Sequence, residues 1–284
     1  TISENIVLLQ NRIIALTKEL YIKELQTLST SFGKHFEGLV YFISCIDVAV
    51  STIKSSIKYN FIRPEIVETE QAFFEIETLR HPLVEMREEN GIYVPNDVVC
   101  GATEHISNQY TNHVIYTENK KDVRGILLYG INSSGKSSLM KSIGVAIILA
   151  QAGFFVPAKS MRFKLFKELF TRIVAKDNFE KGLSSFAVEM MELKNIFNRA
   201  SKHSLILGDE ISHGTETLSA ISIVSATIER LTEMGSLFMF TTHLHQLNNL
   251  PSLKKQHNIA RVHLAVRYDE QSDTLIFDRT LQSG

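Results

Sequence analysis

Near the middle of the chain the run Gly130-Ile131-Asn132-Ser133-Ser134-Gly135-Lys136-Ser137 carries the pattern G-x-x-x-x-G-K-[ST]. These residue types suit one chemistry. Backbone N–H groups of a glycine-bearing loop, from Gly130 through Ser133, Ser134 and Gly135 into the first turn of the following helix at Ser137 and Ser138, can cradle nucleotide phosphates. Lys136 supplies positive charge to the β and γ groups, and Ser137 can ligate Mg²⁺. Hydrolysis also needs a metal holder and a base that orients water, both expected at the carboxyl end of a neighbouring strand. Ser204-Leu205-Ile206-Leu207-Gly208-Asp209-Glu210 meets that demand, with Asp209 supporting Mg²⁺ directly or through water and Glu210 polarising the attacking water. Further on, an apolar run from Leu237 to Phe240 leads to Thr241-Thr242-His243, where an imidazole is placed to contact the γ-phosphate. Each feature has a plainer reading: a glycine turn with an incidental lysine, an acidic turn capping the next helix, an ordinary strand-end histidine. His243 and His245 as a metal pair lack a third ligand and are set aside.

Such residues work only if strands deliver them to one edge of a sheet, and the texture from Phe73 onward fits this: short apolar runs alternate with helical patterns, as in a parallel sheet with crossover helices. Strands are expected at 126–129, 170–174, 205–207 and 237–241, helices at 137–150, 186–200, 217–234 and 244–249, and a closing antiparallel hairpin at 261–268 and 274–281. The amino-terminal part reads differently. Ile6, Leu9, Ile13, Leu16 and Leu20 form one helical stripe. After the breaker cluster Ser29, Thr30, Ser31 and Gly33, the residues Phe36, Leu39, Ile43, Ile46, Val50, Ile53 and Ile57 form another, ending at Arg63-Pro64. The expectation is a long antiparallel helical hairpin over 1–63, followed by an α/β domain over 64–284 with a mixed, mostly parallel sheet.

Composition narrows the classes. The 284 residues are 44% hydrophobic and 21% charged with a net charge of −1, which excludes collagen-like and charge-dominated disordered chains and a polybasic nucleic-acid or membrane-surface binder. Any DNA contact must come from a local patch or from other parts of the protein. Cys45 and Cys100 are too few for a disulfide framework and fit a reducing compartment. No apolar run near the roughly 20 residues of a membrane helix stands out, and no signal-peptide pattern opens the chain, so an intracellular protein with no membrane association is expected. Thr1 at the start and Gly284 just after a strand-like stretch suggest an excised fragment, truncated at its carboxyl end.

Taken in order, these motifs resemble the MutS family of DNA mismatch-repair ATPases, within the broader ABC-type group of P-loop NTPases. The resemblance runs from Arg80-His81-Pro82-Leu83-Val84-Glu85 through Tyr93-Val94-Pro95-Asn96-Asp97-Val98 and the 130–137 loop to Gln151-Ala152-Gly153-Phe154-Phe155-Val156-Pro157-Ala158. It continues in Phe170-Thr171-Arg172-Ile173, Gly182-Leu183-Ser184-Ser185-Phe186-Ala187-Val188-Glu189-Met190, Asp209-Glu210-Ile211, Gly214-Thr215 and Thr241-Thr242-His243. It implies ATP and Mg²⁺ as ligands: Tyr93 stacking on adenine, Val94, Pro95 and Asn96 lining the base pocket, Asn132 reaching toward the γ-phosphate, and Gln151 sensing metal and nucleotide. It also implies that Ser184, Ser185 and Phe186 complete the ATP site of an opposite subunit, in a homo- or heterodimer. Mismatched DNA would be held mainly by domains outside this sequence, and the protein would be DNA-associated. The 1–63 segment resembles the lever helices of that family, which carry nucleotide state to a DNA clamp.

The chain departs from the family pattern at Ser133-Ser134, where Met-Gly is usual, at Gly208, where an apolar residue is usual, and at Ser212-His213, where Gly-Arg is usual. Gly208 is expected to loosen the strand end beside Asp209. Lys136, Ser137, Asp209, Glu210 and His243 are all present, so an active ATPase is expected. Two alternatives stay open: a MutS-like ATPase acting on recombination junctions, and a nucleotide-gated DNA-binding module with little hydrolysis. An ABC transporter cassette is excluded by the missing Leu-Ser-Gly-Gly-Gln signature. Phe73-Phe74-Glu75 and Phe166-Lys167-Glu168 fit the family's Phe-x-Glu mismatch-reading string but fall within the ATPase-like part and receive no reading role.

Overall fold

The computed structural model describes residues 2–87, 93–110, 113–116, 122–173, 185–212, 215–270 and 273–284. The chain divides into two compact units, 1–55 and 56–284.

In place of a hairpin, one helix, α1 (Ile2–Tyr59), runs through the whole amino-terminal segment. The cluster at 29–33 does not break it, for three reasons. Hydroxyls near the cluster turn back onto the preceding turn, Thr27 Oγ1 donating to the Lys23 carbonyl at 3.0 Å and Thr30 Oγ1 to that of Gln26 at 2.5 Å, so they do not compete for a turn. A single Gly33 costs only about 1 kcal/mol in a helix interior, and proline is absent until Pro64. Most tellingly, the apolar repeat crosses the cluster without losing phase, through Leu25, Leu28, Phe32, Phe36, Leu39 and Ile43, with the Phe32 and Phe36 rings 6.5 Å apart. The helix ends where the chemistry favours it: Asn60 takes the left-handed conformation (φ 52°), and the Phe61 N–H closes onto the Ser56 carbonyl at 3.0 Å. Arg80 Nη2 then donates to the carbonyls of Tyr59 (3.1 Å) and Asn60 (2.6 Å). By length and composition α1 also suffices to cross a membrane, since one 18-residue window has a mean hydropathy of 1.6. The expectation of no such stretch fails because between Leu39 and Ile53 the gaps in the stripe are filled by Val40, Phe42 and Val48 and by Ser, Thr, Ala, Cys and Tyr, with Asp47 alone carrying charge.

The larger unit holds two sheets. The first has the order β1 (Glu65–Ile66), β6 (Ser160–Phe163), β2 (Phe74–Leu79), β3 (Asn96–Ala102) and β4 (Asp122–Val123), antiparallel except for the β1–β6 pair. This sheet was not anticipated. The second has the order β11 (Thr274–Ser283), β10 (Ile259–Asp269), β5 (Gly125–Tyr129), β9 (Leu237–Thr242), β8 (Ser204–Asp209) and β7 (Glu168–Arg172), parallel throughout except where β11 folds back on β10. Its central strands β5, β8 and β9 are buried throughout and carry apolar runs because both faces are covered. Ile126 and Leu128 pack with Leu139, Ile143 and Ile147 of α3 (Lys136–Gln151) and with the first sheet. Leu127 and Tyr129 face the opposite side, with α4 (Ser185–Arg199) and α5 (Thr217–Glu233). One consequence fixes the site: β5, β9 and β8 lie side by side, all ending at one edge.

Gly208 does not loosen that edge. A Cβ there would sit 2.7 Å from both Ile211 Cδ1 and Phe240 Cδ1, so these side chains already fill the space a larger residue would take.

Candidate functional site

At the carboxyl edge of the second sheet, β5 turns into the 130–135 loop and α3 begins at Lys136. The loop passes into the helix through Gly135 in the left-handed region (φ 105°), a backbone that side-chain-bearing residues rarely adopt. The amino end of α3, with its unpaired N–H groups, therefore opens onto a cleft of about 460 Å³. Lining it are Asn132, Ser133 and Gly135 of the loop and Lys136, Ser137 and Ser138 of α3, with Asp209 and Glu210 opposite. Val84, Tyr93 and Arg279 make up the remaining wall.

Asp209 comes from β8, which is separated from β5 by β9, so acid and loop meet across an intervening strand. They touch directly: Ser137 Oγ donates to Asp209 Oδ1 at 2.7 Å. Two oxygens of this kind suit Mg²⁺, which takes one or two protein oxygens and keeps water or phosphate for the rest. Lys136 is buried, and its Nζ donates to the carbonyls of Gly130 (2.7 Å) and Ile131 (2.9 Å). Burial lowers its pKa from the usual lysine value, and the facing charges of Glu210 and Asp209 oppose that shift. Glu210 leaves the strand in a left-handed conformation (φ 46°), its N–H held by the Thr241 carbonyl at 3.1 Å and by Thr241 Oγ1 at 3.2 Å. The site thus joins an anion-facing helix start, one lysine and two carboxylates, the elements needed to hold a phosphorylated ligand with a divalent cation.

The opposite wall is aromatic and cationic. Tyr93 is half-buried, and its hydroxyl lies 3.0 Å from Ser142 Oγ on α3. Burial raises its pKa above the ordinary tyrosine value. The His81 ring packs edge-on to Tyr93 at 6.2 Å, and His81 precedes the short helix α2 (Pro82–Glu85) that carries Val84. Arg279 arrives from β11 at a left-handed residue (φ 56°). Sequence reasoning missed both Val84 and Arg279 as wall residues. Val84 lies inside a motif already singled out, whereas nothing short of the hairpin register points to Arg279.

Several anticipated residues lie elsewhere. Gln151 is at the far end of α3, where its side chain accepts the Phe166 N–H (2.6 Å) and donates to the Phe166 carbonyl (3.2 Å), so it fastens a loop and does not reach the cleft. Val94, Pro95 and Asn96 do not line the cleft. Asn96 is buried and spends its amide on β11, donating to the Arg279 carbonyl at 3.0 Å and accepting the Leu281 N–H at 2.7 Å. Its role is indirect: it holds the strand that presents Arg279. Ser134, within the loop, is buried and is not among the residues that line the cleft. His243 follows β9, is exposed, and is not among the lining residues. Ser184 lies outside the described residues, and Ser185 is placed only as the first residue of α4.

Comparison with known proteins supplies a context for this geometry. Residues 126–284 match the family model described as MutS domain V. The chain is 35% identical, over 97% of its length, to a putative DNA mismatch repair protein MutS homologue of Acanthamoeba polyphaga mimivirus, of which it covers 26%. It is 38% identical, over 97% of its length, to a mitochondrial DNA mismatch repair protein MutS homologue of Sarcophyton glaucum, again covering 26%. The DNA mismatch repair protein MutS of Methanococcoides burtonii is 34% identical over 96% of the chain, which covers 28% of it. The chain thus spans about a quarter of the length of the curated relatives it matches.

Proposed function

The chain belongs to the MutS family, and from that premise we propose that its cleft binds and hydrolyses ATP with Mg²⁺, as the nucleotide-driven part of a protein that recognises mismatched DNA. The observation that carries the reading is the 2.7 Å contact between Ser137 Oγ and Asp209 Oδ1, which brings a P-loop-type loop and an acidic strand end together across β9. The purine lies against Tyr93, with Val84 and the guanidinium of Arg279 on the same wall, where an aromatic face and a planar cation both suit a stacked base. The phosphates point at the start of α3. Lys136 exchanges its two loop carbonyls for phosphate oxygens, a charge-assisted bond replacing neutral acceptors. Ser137 and Asp209 hold Mg²⁺, which when bound neutralises charge on the phosphate oxygens. Glu210, projecting from its left-handed turn, orients the attacking water.

The relatives are named for DNA mismatch repair, and this chain's contribution is coupling: nucleotide state is set in the cleft of a homo- or heterodimer, while contact with mismatched duplex lies mainly in other parts of the protein. The test is steady-state ATP turnover by the intact protein. Glu210→Gln is expected to lower turnover by about 100-fold or more while calorimetry still detects ATP binding, and Lys136→Ala to abolish binding. Wild-type turnover no greater than that of Glu210→Gln would leave a nucleotide-gated module in place of an enzyme.

A further inference from the structure

We propose that Thr241 is a positioning residue that aligns both carboxylates of the site through a single hydroxyl. It is the β9 residue paired in register with Asp209, on the strand that separates the loop-bearing β5 from the acid-bearing β8. Its Oγ1 donates to Asp209 Oδ1 at 2.5 Å and accepts the Glu210 N–H at 3.2 Å, and its carbonyl accepts the same N–H at 3.1 Å. One side chain therefore grips the carboxylate of one acid and the backbone of the next.

Three physical points give the contact a function beyond packing. First, Asp209 Oδ1 already accepts the Ser137 hydroxyl, so the Thr241 hydroxyl gives it a second donor. An ionised carboxylate oxygen has about two lone-pair sites, which leaves Oδ2 for a cation or its water and fixes the rotation of the group. Second, Glu210 stands at φ 46°, a conformation unfavourable for a residue with a Cβ. The paired grip of Thr241 on its N–H holds that turn, and the turn sends the side chain into the cleft. Third, Thr241 is 1% exposed at the end of a run of fully apolar strand residues. A buried hydroxyl is unfavourable unless hydrogen-bonded, and valine would fill the same space. Threonine also has a stiff χ1, so the direction of the hydroxyl is set by the strand.

This inference rests on the ATP-hydrolysing reading of the cleft, and its test separates the two. In the intact protein, Thr241→Val is expected to lower kcat about tenfold, the loss of one hydrogen bond to a charged group, with KM for ATP little changed. The Mg²⁺ concentration for half-maximal turnover is expected to rise severalfold, because the carboxylate is no longer held in place. Thr241→Ser, which keeps the hydroxyl, is expected to restore most of kcat and the Mg²⁺ dependence. A merely structural threonine would leave the Mg²⁺ titration unmoved. The proposal is overturned if Thr241→Val matches wild type in kcat or leaves the Mg²⁺ dependence unmoved, or if Thr241→Ser is impaired as severely as Thr241→Val. Turnover in wild type above that of Lys136→Ala keeps the parent reading intact in either case. Its absence removes both.

Discussion

Residues 2–55 and residues 56–284 are both patterned by apolar periodicity, yet the pattern has opposite outcomes. In the larger unit the β5 run is buried on both faces, between α3 with the first sheet on one side and α4 with α5 on the other. In the amino-terminal unit Ile6, Leu9, Ile13, Leu16 and Leu20 form an equally regular stripe, and every one of them is exposed. Periodicity specifies an element and the face it offers, and burial follows only where a second surface meets that face. The larger unit supplies its own second surfaces because its strands and helices alternate along the chain. A lone helix has none to offer itself.

The two cysteines give the sharpest contrast. Cys45 lies exposed on α1, whereas Cys100 is buried in β3 and burial pushes its thiol pKa up to about 12. Alkylation of this chain under native conditions should modify Cys45 at least about 1,000-fold faster, since Cys100 must wait for unfolding. Comparable rates, read by mass spectrometry, would mean the larger unit lacks the core described here. Truncation should divide the same way. Leu128→Ala, at 0% exposure, is expected to lower unfolding free energy by about 2–5 kcal/mol. Leu16→Ala, at 50% exposure, should stay within about 0.5 kcal/mol in the same denaturant titration. A gain in place of a loss sharpens the picture inside the larger unit. Ser212 sits at φ 64° with its N–H on Glu189 Oε1 (2.6 Å), and its own buried hydroxyl has no hydrogen-bond partner among the described residues. Ser212→Gly keeps the N–H contact, relieves the backbone and removes the orphan hydroxyl, so a gain of about 1 kcal/mol is expected.

What the sequence revealed follows from how local each signal is. The 130–137 loop, the acidic strand end and the strands at 125–129, 204–209 and 237–242 were legible, because a run of apolar residues followed by glycine or acid is written in adjacent positions. The first sheet was not: β1 and β4 are only two residues long, and β6 pairs with β1 and β2 from far along the chain. The break expected at 29–33 came from weighing Ser, Thr and Gly as breakers while ignoring the phase of the stripe around them. Gln151 and Asn96 show a different limit. Both lie in motifs that resemble the family, but where an amide points depends on the backbone groups that come to meet it, Phe166 in one case and β11 in the other. Arg279 is the converse: an unremarked strand residue brought to the cleft by hairpin register.

That last wall has a kinetic side. Asn96 meets the Arg279 carbonyl across 183 residues, and Ser137 meets Asp209 across 72. Contacts of such sequence separation form late, because loop-closure entropy is lost before they contribute anything. During vectorial synthesis the 130–137 loop therefore emerges from the ribosome with one side open, and the walls that Asp209, Glu210 and Arg279 supply close the cleft only after β8 and β11 have followed.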